Sequence, residues 1–332
     1  MKTILICIIA CGFISCNAQQ SFGTSHLKFE RSIELPGVDG RIDHMAVNLK
    51  TNLLYMAALG NNTVEVIDLG KDSVVKSISG IEEPQGIAYL SNQNEIAVAS
   101  EGNGDCLFYN AADYMLVATV HLRDDADNVR YDSASNKIYV GYGNGAIAVI
   151  DALTHKLVGN VTLPAHPESF QLDKKNHLLL VNLPHANSIA VINLDNLQVI
   201  QTWKTNELND NFPMALDTLN NQVLIGYRKP AVLVVYNVIT GKEITRMNIV
   251  DDTDDVFYNE LTNEAIVSGG GGAVNIFNTT NGKGFNQVAN IPTRQGARTA
   301  LLIPSLKLYT VAERANNGKE AALAVYTIQD KN

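Results

Sequence analysis

The sequence predicts an all-β fold, seven repeats of four antiparallel strands closed into a ring, on three observations. The first is one apolar phrase that recurs seven times. It runs Val64-Glu65-Val66-Ile67-Asp68, Leu107-Phe108-Tyr109-Asn110, Ile147-Ala148-Val149-Ile150-Asp151 and Ile189-Ala190-Val191-Ile192-Asn193. It continues through Leu233-Val234-Val235-Tyr236-Asn237, Val274-Asn275-Ile276-Phe277-Asn278 and Leu323-Ala324-Val325-Tyr326-Thr327, with last residues 42, 41, 42, 44, 41 and 49 positions apart. The second is another apolar register just ahead of each copy, for example Leu53-Leu54-Tyr55-Met56-Ala57, Ile138-Tyr139-Val140-Gly141 and Leu178-Leu179-Leu180-Val181. The third is the turn chemistry between the two registers. Gly60-Asn61-Asn62, Gly102-Asn103-Gly104, Gly143-Asn144-Gly145 and Gly269 to Gly272 supply the positive φ that tight hairpins need.

These β-branched and aromatic runs are strands, and no stretch holds a 3.6-residue period long enough for a helix. A period near 42 with four strands in each repeat is that of a propeller blade, so a seven-bladed β-propeller is expected. The segment Leu27 to Leu35 matches outer strands such as Ser73 to Ile78 and Lys156 to Leu163, whereas the chain ends after Thr327 without one. The N-terminal strand is therefore expected to complete the last blade and close the ring.

Residues 1–18 combine Lys2, the apolar run Ile4 to Ile14 and Cys16-Asn17-Ala18, the pattern of a secretory signal peptide. An eleven-residue apolar run is about 16 Å long as a helix, short of a bilayer span, so no transmembrane anchor is expected. Two processing routes stay open, cleavage after Ala18 or lipidation of Cys16. The expected organisation is a leader over 1–18, or one ending before Cys16, a short linker over 19–26, and a single propeller domain over 27–332. The protein is expected to be exported, periplasmic or held at a membrane as a lipoprotein. Of the four cysteines Cys7, Cys11, Cys16 and Cys106, only the last survives simple cleavage. An oxidising compartment then offers no intrachain disulfide, and Cys106 reads as a small buried hydrophobe.

With 46% hydrophobic and 18% charged residues among 332, the chain can bury a core and is not disordered. Lys and Arg number 25 against 34 Asp and Glu, a net −9 that becomes −10 without Lys2. That excess of acid argues against nucleic acid and anionic membranes as partners.

The seven blades, with their Tyr-Val-Gly and Val-Ile-Asp phrases, resemble the bacterial YncE-like, YVTN-repeat family of seven-bladed propellers over the whole mature chain. The phrases Gly40-Arg41-Ile42-Asp43-His44, Asp124-Asp125-Ala126-Asp127-Asn128-Val129-Arg130, His166-Pro167-Glu168-Ser169-Phe170, Asn211-Phe212-Pro213-Met214-Ala215 and Gly296-Ala297-Arg298-Thr299 resemble one subgroup. The resemblance implies the fold and imports no reaction. Related lactonase and streptogramin-lyase propellers differ in the residues leading into their inner strands, so their catalytic assignments do not transfer.

In a propeller the innermost strand of each blade lines a central channel. The residues leading into these strands are His44, Gly86, Asn128, Ser169, Met214, Asp255 and Arg298, preceded by Asp43, Gln85, Asp127, Glu168, Pro213, Asp254 and Ala297. Polar residues there often only cap strands or bond between blades. As a set, though, these carboxylates, the imidazoles of His44 and His166, and Arg298 converge on one mouth and call for a ligand, metal or water to organise them. His44 beside Asp43 is the expected acid or base. Arg298, with Arg294 near it, is the expected anion clamp, and Arg228 with His185 is expected at the rim.

Oxygen donors Asp127, Asn128, Glu168, Asp254 and Asp255 suit Ca²⁺, while His44 and His166 suit zinc or another transition ion. Neither set has a local ligand-spacing motif, and no organic cofactor is indicated; Gly269 to Gly272 lacks the helix and lysine of a phosphate loop. Three functions remain open at this stage. They are a module binding or sensing a small anionic ligand, a lyase or lactone hydrolase acting on a carboxylated sugar or organic acid, and a protein-interaction scaffold, for which the lone Trp203 offers little anchorage.

Overall fold

The computed structural model describes residues 25–280 and 283–329; the expected leader and the first part of the expected linker lie outside them. The described residues fold as seven four-stranded antiparallel sheets, each ordered from an inner to an outer strand. The all-β seven-bladed propeller read from the repeats is the fold of the protein. Among the described residues, helical turns are confined to three short 3₁₀ segments, Leu59–Asn61, Pro184–Ala186 and Pro304–Leu306.

The apolar phrases owe their continuity to burial on both faces. Along Leu53–Ala58, Leu54 and Met56 pack toward the last blade, while Tyr55 points to the second blade. The same holds around the ring, giving seven buried apolar clusters with one at each junction between neighbouring blades. A strand covered on both sides has no polar face to show, so its sequence reads as an unbroken hydrophobic run. Cys106 is one of these packing residues, wholly buried in the junction of the second and third blades, where burial pushes its thiol pKa far up.

Outer strands obey a different rule because one edge meets water. Gln198–Lys204 is exposed at most positions, and every outer strand carries a register shift against its neighbour, such as that between Val66 and Ile67. Bulges and polar side chains are the usual defence of a free edge against stray pairing. The turns after the inner strands are Asx turns as their sequence indicates. Asp132, Asp173, Asp217 and Asn259 each accept a backbone N–H two or three residues on.

Ring closure follows the expected route. Leu27–Glu34 pairs antiparallel with Ala322–Ile328, from Leu27 opposite Ile328 to Glu34 opposite Ala322. Ile33 and Leu35 then bury against Leu323 and Val325 in the junction with the first blade. His26, assigned to the linker from sequence, is already part of the fold: its ring meets Glu264 at 2.6 Å and its carbonyl accepts from Gln329.

Removing residues through Leu35 is expected to abolish cooperative unfolding, and Ile33→Ala to cost about 2–5 kcal/mol in denaturant unfolding. An unchanged transition in either variant would contradict closure by this strand.

Candidate functional site

Irregular backbone at the start of each inner strand turns side chains into the channel. In the second, third, fifth and sixth blades the register slips there, between Pro84 and Ile87, Ala126 and Val129, Asn211 and Met214, and Thr253 and Asp255. In the other blades the regular strand begins later, and the preceding residues keep looser backbone bonds, as in Glu168 N–H to Asn182 and Asn182 N–H back to Ser169. A bulge bends a strand and re-aims its side chains. One glycine makes this possible between blades: a Cβ on Gly86 would lie 1.9 Å from the carbonyl oxygen of Asp127, so the Asp127 backbone packs where only glycine leaves room.

The result is a mouth cavity of about 370 Å³ to which every blade contributes except the outer strands' faces; six carboxylates and three guanidiniums line it. Most residues singled out from the sequence meet here: Asp43, His44, Asp127, Asn128, His166, Glu168, Arg228, Asp254 and Arg298 all line it, with His185 at the rim. Asp255 does not. The slip between Thr253 and Asp255 sends Asp254 to the mouth and turns Asp255 into the channel below, where it accepts the Ala300 N–H at 2.7 Å. There it shares a deeper cavity with His44 and Arg130. Met214, one of the residues leading into an inner strand, is buried between the fourth and fifth blades, whereas its neighbour Phe212 lines the mouth.

On one side of the mouth the cations are already held by acids. Arg228 meets Asp254 at 2.5 Å, donates to the Thr253 carbonyl at 2.9 Å and stacks 3.8 Å from the Phe212 ring centre. Arg298 contacts Asp254 at 2.9 Å and Asp252 at 3.1 Å. Arg298, expected as an anion clamp, is therefore not a free guanidinium but shares Asp254 with Arg228, and Asp254 is not loose to ligate a cation. Arg41, unmarked in the sequence reading, reaches Asp43 at 2.7 Å. His44 sits 3.6 Å from Asp43, beyond hydrogen-bond range, so the expected carboxylate-oriented imidazole is absent at that pair.

The other side gathers Asp125, Asp127 and Glu168 around a single imidazole, His166. Asp127 lies 3.7 Å from His166 Nε2. His166 Nδ1 meets the Gly143 carbonyl at 2.6 Å; since a carbonyl only accepts, Nδ1 carries the proton. Burial works against a charged imidazole here, but Asp127, the Gly143 carbonyl and Asp125 outweigh it and raise the His166 pKa to about 9. Burial and then the Asp127 charge push Glu168 up to about 8. Asp125 and Glu101, also pocket residues, were not distinguished in sequence. Asp125 directly precedes the inner strand of the third blade and Glu101 directly follows the second strand of the second blade, so only the geometry of the ring marks them.

No protein-family model matches the chain, and no curated protein matches it. Many solved structures share its fold. One, a chain in the "Crystal Structure of Mitotic Checkpoint Complex", aligns with a TM-score of 0.76 at 14% identity over 99% of this chain and 99% of that one. At that identity the likeness is one of fold.

Burial holds the Asp255 pKa at about 7, above the ordinary 3.8. The folded state thus keeps a proton that the unfolded chain releases, so this group's contribution to stability is intact below about pH 4 and is lost as pH climbs to about 7. Asp255→Asn keeps an oxygen for the Ala300 N–H and removes the charge. Its melting temperature is expected to exceed wild type at pH 8 but not at pH 4; parallel curves would contradict the buried-acid assignment.

Proposed function

We propose that this chain is an exported propeller of the YncE-like, YVTN-repeat kind that binds one small anionic molecule at the channel mouth, as a binding or sensing module. The observation that carries the reading is the mouth cavity itself. Its volume of about 370 Å³ falls in the range of small-ligand sites, and it offers two kinds of wall. Arg41, Arg228 and Arg298 supply planar donors suited to a carboxylate. Asp127 and Glu168 supply acceptors for hydroxyl groups, and the Phe212 ring beneath Arg228 gives a flat apolar face. A carboxylated sugar or hydroxy acid has all three complements. Export rests on the leader pattern of residues 1–18.

One observation favours the enzyme reading as a second possibility. Glu168 and His166, held up to about 8 and about 9, both keep protons at neutral pH and so suit general-acid chemistry on a lactone or a β-eliminating acid. A scaffold role gains no specific residue, although the structural neighbour comes from a multi-protein complex.

A thermal-shift panel of carboxylated sugars, lactones and organic acids tests the reading. At least one compound is expected to raise the melting temperature, and Arg228→Ala to weaken its binding at least tenfold, about 1.4 kcal/mol. Turnover of that compound lost in Glu168→Gln with binding kept would mark an enzyme. A panel without any shift would contradict the ligand reading and leave the scaffold.

A further inference from the structure

We propose that Asp127, His166 and Glu168 form a site for one divalent first-row transition ion whose open coordination positions face the mouth cavity. Donor atoms of these three side chains lie within 4.8 Å of one another, a span that side-chain rotation closes onto metal bonds of about 2.0–2.2 Å. The hydrogen bonding leaves the right atoms free. With Nδ1–H given to the Gly143 carbonyl, Nε2 of His166 faces Asp127, and its lone pair becomes the metal donor once the ion displaces the Nε2 proton. A backbone carbonyl on the far ring nitrogen is how ligating histidines are commonly oriented.

The two acids are equally unspent. The Glu168 carboxylate makes no hydrogen bond or ion pair with the described residues, and that of Asp127 accepts only a long bond of 3.3 Å from Asn128 Nδ2 besides its contact with His166. Asn128, 3% exposed and lining the same cavity, holds a buried side-chain oxygen with no hydrogen-bond partner. The frame is firm: Asp127 backbone packs on Gly86, and Glu168 N–H is tied to Asn182 at 3.0 Å.

Ligand type selects the ion. An imidazole nitrogen with two carboxylates suits Zn²⁺ or Mn²⁺, whereas Ca²⁺ seeks six to eight oxygens. The expected Ca²⁺ set is split in the fold, since Asp254 is held by two arginines and Asp255 faces the lower channel. Three protein donors leave positions open, as in sites that bind a ligand rather than only brace a fold. This inference rests on the pocket reading above and explains its oddest feature, an acid wall in a site for an anion. With the ion in place the charges of Asp127 and Glu168 are neutralised, and the ion's open positions can take a carboxylate or hydroxyl oxygen opposite Arg228 and Arg298.

The test is calorimetric titration of tag-free, chelator-stripped protein with Zn²⁺, Mn²⁺ and Ca²⁺, each alone. One equivalent of Zn²⁺ or Mn²⁺ is expected to bind, Ca²⁺ at least tenfold more weakly. His166→Ala and the near-isosteric Glu168→Gln should each weaken the transition ion at least tenfold, and His121→Ala, on an outer strand, should not. Co²⁺ should give visible ligand-field bands that His166→Ala abolishes. Absence of stoichiometric binding, or binding that survives Glu168→Gln, would overturn the site. Running the carboxylate panel with and without metal keeps the two readings apart. Carboxylate binding to protein that takes up no metal sinks the ion site alone; metal uptake with no carboxylate response upholds the ion site and removes the anionic ligand.

Discussion

Everything in this molecule depends on the pairing of Leu27–Glu34 with Ala322–Ile328. A row of blades each buried against two neighbours has, without closure, two apolar faces open to water, and only a ring removes both. Closure also fixes the radius of the channel. Once the radius is fixed, the residues that begin the seven inner strands have nowhere to go but toward one another, and residues more than 250 positions apart in sequence, such as Asp43 and Arg298, come to share one cavity.

That convergence generates the chemistry. Charges gathered in a half-buried space cannot all be satisfied independently. On the side of the fifth to seventh blades the conflict is settled internally, by Arg228 and Arg298 clasping Asp254. Around the third and fourth blades it is not settled, and protons take the place of counter-ions: Glu168 and His166 hold them to about pH 8 and 9. A site that binds protons this readily for want of a cation is prepared for another cation, and the one wall that is acidic faces the one wall that is basic.

Much of this was legible in the sequence because it was periodic. The blade count, the strand order from inner to outer and the closing strand all follow from spacing, and spacing also located Asp127, Glu168, Asp254 and Arg298 at the mouth. What spacing could not carry is the half-turn of backbone at a bulge. Asp254 and Asp255 are neighbours with the same side chain, yet the slip beside Thr253 places one in the pocket and the other below it. The partner of a charge was equally hidden. Asp43 precedes His44 in sequence, which suggested a pair; in space Asp43 belongs to Arg41, and the oriented imidazole is His166, fixed by a backbone carbonyl 23 residues away. Arg41, Glu101 and Asp125 gave no periodic signal because they lie in the loops before or after the repeat positions, where blade geometry alone decides which way they face.

The central claim is that the crowded acids of the third and fourth blades, Asp127 and Asp125 foremost, hold a proton on His166. Nuclear magnetic resonance titration of the His166 imidazole in metal-free protein reads this directly. A midpoint near pH 9 with the proton on Nδ1 in the neutral form is the result the account requires. A midpoint at the ordinary 6.5 would mean that Asp125, Asp127 and Glu168 do not act on this ring as a group, and the mouth would then be a set of separately satisfied polar side chains.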